Sequence, residues 1–143
     1  MKQYNAKNIR NVALVGHAGT GKTTLAEAML YLSGATDRLG RVDDGTTVCD
    51  FDPEEIKRKA SVSMSVAPIE WKNTKINILD TPGLFDFSGG VSEGIRAAAS
   101  VVITVSAKSG VAVGTEKGFK AATQKGIAKI FFVNEMDNEN ADF

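Results

Sequence analysis

Residues 16–23 of the chain are Gly16-His17-Ala18-Gly19-Thr20-Gly21-Lys22-Thr23. Their spacing, G-x-x-x-x-G-K-[ST], is typical of a loop that binds phosphate groups. The apolar run at 12–15 predicts a buried strand before the loop, and the apolar residues at 25, 28 and 29 predict one face of a helix after it. A glycine-rich turn that binds nothing is the alternative, but the order of strand, loop and helix favours phosphate binding.

The predicted loop has the groups that a nucleotide needs. Glycine at positions 16, 19 and 21 lets the backbone curl so that successive N–H groups point at phosphate oxygens. The N-terminus of the following helix adds free N–H groups and a partial positive charge. Lys22 can reach the β- and γ-phosphates, and the Thr23 hydroxyl can ligate Mg²⁺. The candidate nucleotide-binding residues of this segment are Gly16, His17, Ala18, Gly19, Thr20, Gly21, Lys22, Thr23 and Thr24.

Length, charge and cysteine content restrict the class of protein. A chain of 143 residues suits one domain, and the 17 basic and 17 acidic residues balance, so net charge gives no general attraction to DNA or to an anionic membrane. Cys49 is the single cysteine, which excludes an internal disulfide. The N-terminus lacks a signal-peptide core, and the apolar stretch at 97–107 is too short to span a bilayer. We therefore expect a cytoplasmic, monomeric protein with neither membrane nor DNA as a partner.

Strand and helix patterns alternate along the chain, which predicts an α/β fold with a mostly parallel sheet and helices on both faces. A polar turn at 72–73 separates two strand patterns, so these two strands are expected to form an antiparallel hairpin. The long polar stretch at 35–59 is unusual for a compact domain and is often functional. Strands are predicted at about 8–15, 61–71, 75–79, 100–105 and 130–133, the last two buried, and helices at about 24–32, 54–59, 91–98 and 113–125.

A second motif, Asp80-Thr81-Pro82-Gly83, follows the second strand of the predicted hairpin. An aspartate at the end of a buried strand can hold Mg²⁺ through water, opposite Thr23. The N–H of Gly83 can sense the γ-phosphate of a bound nucleotide. The same four residues also suit an ordinary turn, so the motif gains its meaning from the phosphate loop before it.

A third motif, Asn134-Glu135-Met136-Asp137, follows the last predicted strand and is close to the N-K-x-D pattern that selects guanine. The Asp137 carboxylate is placed to accept hydrogen bonds from the guanine N1–H and exocyclic amine, a donor pair that adenine lacks. Asn134 can connect the base to the phosphate loop. A polar strand end without a ligand is the alternative interpretation.

The three motifs together resemble those of the translational GTPases. Residues 40–47, Asp50, residues 58–63 and the hairpin at Trp71 together resemble the first switch region of elongation factor G, and residues 80–87 resemble the second. The sequence at 52–58 is closer to that of the bacterial elongation-factor-G-like subgroup. The resemblance implies a P-loop NTPase G domain that binds GTP or GDP with Mg²⁺ and acts on the ribosome. It also implies that Ser61 takes the place of the threonine that completes Mg²⁺ coordination in the family, together with Thr23 and Asp80.

The chain departs from that family at several positions. Leu84 stands where elongation factor G has the histidine that orients the attacking water, so no catalytic residue is assigned. Gly19 replaces the usual aspartate of the phosphate loop, and Glu135 replaces a lysine that packs over the base and would make a cation–π contact. The last motif of the domain, with its final strand and helix, lies beyond Phe143. Residues 1–143 are therefore expected to form a G domain that is incomplete at its C-terminus.

These observations leave three hypotheses. The first is an elongation-factor-G-like GTPase that couples GTP hydrolysis to a ribosomal step, with ribosomal RNA and proteins as partners. The second is a nucleotide-dependent binding module with weak or no hydrolysis, which Leu84 favours. The third is a fragment that folds poorly. The basic run at 57–59 is either a solvated face or a contact to ribosomal RNA phosphates. Cys49 is expected to be exposed.

Overall fold

A computed structural model describes residues 2–142, apart from the side chain of Phe85. Within these residues a five-stranded sheet has the order β2-β3-β1-β4-β5. β1 is parallel to β3 and β4, β4 is parallel to β5, and β2 is antiparallel to β3. The strands are β1 (Ile9–Gly16), β2 (Ser65–Trp71), β3 (Thr74–Asp80), β4 (Ser100–Ser106) and β5 (Ala128–Asn134), and the helices are α1 (Lys22–Leu32), α2 (Pro53–Arg58), α3 (Ser88–Ala97) and α4 (Val113–Lys125).

Both faces of the sheet are covered by helices, as the sequence predicts. Successive side chains of a strand point to opposite faces. Leu14 of β1 therefore packs with Leu30 of α1, while its neighbours Ala13 and Val15 pack on the other face against α3 and α4. The predicted mostly parallel sheet with one antiparallel strand is confirmed.

The β2–β3 hairpin turns at Lys72 and Asn73, which both have positive φ angles, of 44° and 62°. A two-residue turn with positive φ at both positions matches the right-handed twist of the flanking strands. The predicted turn is therefore present. β2 begins at Ser65, later than the predicted position 61, because residues 61–63 are bonded to carboxylates of neighbouring segments instead of to β3.

Helix α3 begins at Ser88, three residues before the predicted start, and includes Gly89 and Gly90. A Cβ atom at Gly90 would lie 2.9 Å from the Cδ of Pro82. The first turn of α3 therefore packs directly against the segment that follows β3, and this contact explains a glycine inside a helix. The bounds of α4 are those predicted, and Gly126 ends this helix in a left-handed conformation.

Two sequence predictions about burial are wrong. Within residues 2–142 β5 is not buried: Ile130 is 62% exposed and Phe131 is 53% exposed, because β5 lies at the edge of the described sheet and packs against α4 through few contacts such as Phe131 on Phe119. Cys49 is 1% exposed instead of solvent-accessible, because its loop folds over α1 and places it in the core beside Leu30. Burial raises the pKa of the Cys49 thiol.

The long loop at 33–52 between α1 and α2 is tied down by a buried carboxylate. Glu27 of α1 is fully buried, and its Oε1 accepts hydrogen bonds from the N–H of Val48 at 2.7 Å and of Cys49 at 3.2 Å. A Cβ atom at Gly40 would collide with Oε2 of the same carboxylate. The loop is therefore closely packed around Glu27. No helix among residues 2–142 is long and apolar enough to cross a membrane.

Lys125 is predicted to stabilise the fold from the end of α4. Its Nζ donates to the backbone oxygens of Ile95, Arg96 and Ala98 at 2.5, 2.6 and 3.0 Å, and so caps the C-terminal end of α3. We expect Lys125→Met to lower the free energy of unfolding by about 1–2 kcal/mol, because three carbonyls lose a charged donor. Urea unfolding followed by Trp71 fluorescence measures the change.

The control is Lys120→Met on the same helix, where the lysine forms an exposed ion pair with Glu116 at 3.5 Å. Its expected cost is about 0.5 kcal/mol or less. Equal stabilities of the Lys125→Met and Lys120→Met proteins would show that the cap on α3 contributes nothing.

Candidate functional site

The phosphate-loop motif connects the C-terminal end of β1 to the N-terminal end of α1. Gly21 precedes α1 with a φ of 84°, in the left-handed region, and no side chain among the described residues caps this helix. The first N–H groups of α1 therefore open toward a cavity of about 210 Å³. An uncapped helix N-terminus at the end of a strand is suited to bind an anion.

Lys22 is held inside the loop. Its side chain is 6% exposed, and its Nζ donates to the backbone oxygens of Gly16 at 3.2 Å and His17 at 2.7 Å. Burial lowers the pKa of Lys22 to about 8, although the nearby Asp80 and Asp50 oppose this shift. The ammonium group is thus directed along the loop toward the cavity that the loop surrounds.

A chain of four polar side chains links the phosphate loop to two other segments. Thr23 Oγ1 donates to Asp80 Oδ2 at 2.7 Å, and Ser61 Oγ donates to Asp50 Oδ1 at 2.7 Å. The two hydroxyl oxygens lie 3.2 Å apart. Because pairing in the sheet sets Asp80 opposite Leu14, the carboxylate lies at the edge where the phosphate loop begins.

The oxygen atoms of these four side chains are suited to bind a small divalent cation. Asp80 Oδ1 and Asp50 Oδ2 are buried and have no hydrogen-bond partner among the described residues. Neighbouring ligands of an octahedral Mg²⁺ are about 2.9 Å apart, close to the separation of the Thr23 and Ser61 oxygens. Burial raises the pKa of both carboxyl groups, and a bound cation would favour their charged forms. Among residues 2–142 no group of three or more His, Cys, Asp or Glu side chains forms a separate metal site.

The segment after β3 lies against the phosphate loop. A Cβ atom at Gly83 would lie 2.5 Å from Lys22 Nζ and 2.6 Å from the backbone N of Ala18. This close approach requires glycine and places the Gly83 backbone at the wall of the cavity. Leu84 is half-buried and lines both this cavity and a second one of about 450 Å³ between α3 and α4.

The base motif lies at the end of β5, beside the phosphate loop. Asn134 Nδ2 donates to the backbone oxygen of Thr20 at 3.1 Å. Asp137 is exposed and lines an open groove together with Glu135. Glu135 has a φ of 60°, and its carboxylate accepts a hydrogen bond from Ser106 of β4. The Glu135 side chain is therefore directed back to the sheet.

The structure brings together most, but not all, of the candidate side chains. Thr20 is buried and bonds to Thr104 Oγ1 at 2.7 Å, and His17 lies against Gly114 of α4, so neither side chain faces the phosphate cavity. The candidates that line the phosphate cavity are Ala18, Gly19, Gly21, Lys22, Thr23, Thr24, Ser61 and Gly83.

Two charged residues of the cavity were not among the candidate site residues. Asp50 is 4% exposed and bonds to Ser61, and Lys59 lines the cavity two residues before Ser61. Both come from the polar stretch at 35–59, where no fixed spacing marks them. The available signals were the resemblance of Asp50 and residues 58–63 to a switch region and the expected role of Ser61 as a metal ligand, which implies that its neighbours lie near the phosphates.

Fold and site together define a nucleotide-binding domain of the P-loop class, with a guanine-type base motif beside its phosphate loop. The chain belongs to the family described as the elongation factor Tu GTP binding domain, which it matches over residues 7–143. GTP hydrolysis is the activity expected of that family. The resemblance to translational GTPases that the sequence indicated is confirmed.

Relatives from yeasts and bacteria support this assignment. The chain is 41% identical to ribosome-releasing factor 2, mitochondrial, of Yarrowia lipolytica and 39% identical to an elongation factor G-like protein of Mycobacterium tuberculosis, with 99% and 94% of this chain covered. The chain is also similar to the crystal structure of a Thermus thermophilus protein, with a TM-score of 0.85 and 45% sequence identity. The match covers 87% of this chain and 19% of the Thermus thermophilus chain. The chain spans only 18% and 19% of the two named relatives.

Gly21 is predicted to be required both for its backbone conformation and for space. A Cβ atom there would collide with Asn134 Nδ2. We expect Gly21→Ala to lower the free energy of unfolding by about 1 kcal/mol through the left-handed φ and to lose a further ~1 kcal/mol by displacing Asn134. It should also weaken GDP binding. Urea unfolding and calorimetric titration with GDP measure both effects.

Gly34→Ala is the matched control, because Gly34 has a φ of 73° and nothing within 4 Å of an added Cβ. It should show the conformational cost alone and keep the affinity for GDP. If both variants lose the same stability and neither loses affinity, the contact between Asn134 and the phosphate loop has no role in the site.

Proposed function

We propose that this chain is the GTP-binding domain of an elongation-factor-G-like translational GTPase. The domain binds GTP with Mg²⁺, and the whole protein couples its hydrolysis to a ribosomal step of protein synthesis. The observation that carries the proposal is that Lys22, Thr23, Ser61 and Gly83 line one cavity, with Asp80 hydrogen-bonded to the Thr23 hydroxyl. These residues come from three distant parts of the chain: two are the first and second sequence motifs, and the third contains Ser61, which the family resemblance indicated.

In this proposal each motif has one task. The uncapped N-terminus of α1 and Lys22 bind the β- and γ-phosphates, and the Gly83 N–H contacts the γ-phosphate. Asp137 selects guanine over adenine, while Asn134 fixes the base groove to the phosphate loop. The order of these groups along the edge of the sheet supports one extended nucleotide molecule.

Mg²⁺ is proposed as the cofactor, with Thr23 and Ser61 as hydroxyl ligands and Asp80 and Asp50 holding its water ligands. When bound, the ion neutralises charge on the phosphate oxygens during hydrolysis. In the reaction a water oxygen forms a bond to the γ-phosphorus, and the bond from that phosphorus to the β–γ bridging oxygen breaks. GDP leaves with the electron pair, and the proton of the water ends on inorganic phosphate or solvent.

The ribosome is proposed as the partner, because the relatives are named as a ribosome-releasing factor and as elongation factors. We propose the cytoplasm as the compartment, although the yeast relatives are named mitochondrial. Hydrolysis is favoured over a binding module without activity, since hydrolysis is what the family performs. Leu84 then affects how fast GTP is hydrolysed and not whether it is hydrolysed.

Guanine preference is the first test of the proposal. We expect GTP, but not ATP, to displace labelled GDP from the protein, because only guanine offers two donors to the Asp137 carboxylate. Asp137→Asn should weaken GDP by about 100-fold and bind xanthosine diphosphate in its place, since the amide can donate where xanthine has an oxygen. Competition titrations measure each affinity.

Glu139→Gln is the matched control, because Glu139 lines the same groove outside the motif. It should leave the order of affinities unchanged. Displacement of GDP by ATP as effective as that by GTP would refute the proposed guanine specificity.

The second test concerns Leu84, which lines the phosphate cavity without offering a polar group. A histidine there could hold the attacking water, and such positioning raises rates strongly. We expect Leu84→His to raise the single-turnover rate of GTP hydrolysis on ribosomes by about 10-fold or more, with affinity for GTP nearly unchanged. Leu84→Met, which keeps an apolar side chain of similar size, should keep the rate of the parent protein.

A parent protein that already hydrolyses GTP on ribosomes as fast as its Leu84→His variant would show that another group positions the water. The role given to position 84 would then be wrong, while the guanine specificity tested above would still stand.

A further inference from the structure

Lys59 has an unusual backbone conformation for a lysine. It follows the last residue of α2 with φ and ψ of 53° and 39°, in the left-handed region where glycine is the favoured residue. Its N–H is bonded to the oxygens of Glu55 and Ile56, so the end of α2 is already closed by backbone bonds that glycine would make equally well. Glycine would therefore close this helix end at least as well, and the lysine side chain is not needed there.

Lys59 lies at the wall of the phosphate cavity. It lines this cavity together with Lys22, Ser61, Gly83 and Leu84. Its Nζ is 3.5 Å from Asp43 Oδ1 in a pair whose two side chains are 57% and 75% exposed. Such an exposed pair is weak and easily exchanged for another anion.

The neighbouring basic residues do not share this position. Arg58 Nε is 2.6 Å from Glu54 on the surface of α2, and Lys57 is exposed and does not line the cavity. Among the three residues of the basic run at 57–59, Lys59 is therefore the one whose charge is available to the cavity.

The cavity has a place for a second cation. Among the described residues, Lys22 is the one other basic residue that lines the cavity. Leu84, which follows Gly83 at the cavity wall, has no group that can form a hydrogen bond. A γ-phosphate brings additional negative charge that GDP lacks. In phosphoryl transfer, catalysis consists mainly of placing positive charge and donors at those oxygens.

We propose that Lys59 is a phosphate-contacting residue whose ammonium group moves from Asp43 to the γ-phosphate of bound GTP. The proposal rests on the proposed function and deepens it: Lys59 distinguishes GTP from GDP and stabilises charge on the γ-phosphoryl group during hydrolysis. Lys59 takes no covalent part: the bonds formed and broken are those between the γ-phosphorus, the attacking water and the bridging oxygen.

The test compares affinities of the protein for a non-hydrolysable GTP analogue and for GDP. We expect Lys59→Gly to weaken the analogue by about 10-fold while GDP changes by less than about twofold, because the ammonium contacts only the γ-phosphate. Glycine suits the left-handed conformation, so the midpoint of thermal unfolding should stay equal or rise. Lys59→Arg should restore most of the affinity for the analogue.

Two further variants make the comparison specific. Lys57→Ala removes a charge from the same basic run without altering the cavity, and it should leave both affinities unchanged. Asp43→Asn removes the competing carboxylate, and it should strengthen binding of the analogue relative to GDP. Single-turnover hydrolysis should follow the same order as the affinities for the analogue.

The outcomes separate this proposal from the proposed function. An unchanged ratio of analogue to GDP affinity in Lys59→Gly, or an equal loss of both, would overturn the role of Lys59 while the domain remains a GTP-binding domain. A parent protein that binds neither nucleotide would overturn the proposed function, and the role of Lys59 with it.

Discussion

The burial of unpaired carboxylate oxygens at the C-terminal edge of the sheet is the constraint on which the rest of the structure depends. Asp80 is 1% exposed and Asp50 is 4% exposed, and each keeps one oxygen without a partner among the described residues. Burying such groups costs free energy unless they are paired or bind a metal ion. The Thr23 and Ser61 hydroxyls offset part of this cost. A fold that retains this cost at the end of its phosphate loop is suited to a ligand that removes it.

Buried carboxylates also fix the conformation of the long segment between α1 and β2. Two buried carboxylates bind the backbone of this stretch. Glu27 accepts two backbone N–H groups at 48–49, and Glu55, 2% exposed, accepts two more at 62–63. Charge-assisted bonds of this kind are strong but few. A segment held by few bonds can exchange one arrangement for another without disturbing the sheet, which suits a region that responds to a phosphate group.

The sequence predicted the features that depend on local conformational preferences and missed those that depend on contacts between distant segments. The hairpin turn at 72–73 and the bounds of α4 depend on local conformational preferences, and both were predicted correctly. The burial of β5 and of Cys49 depends on which segments cover them, and both predictions were wrong. The site shows the same division. The phosphate loop and Asp80 belong to motifs with fixed spacing, whereas Asp50 and Lys59 reach the cavity only through the folding of a long loop that has no such spacing.

The contact between β5 and the phosphate loop shows how the two halves of the site are joined. The Asn134 amide donates to the Thr20 carbonyl, and Thr104 of the intervening β4 supports Thr20 from within the sheet through a 2.7 Å hydrogen bond. Gly21 makes room for the amide, because any Cβ atom there would collide with it. The base groove and the phosphate cavity are therefore not independent: a displacement of β5 would move the carbonyl around which the phosphate loop is folded. The proposed base groove and the phosphate loop are thus joined through Asn134, Thr20 and Thr104.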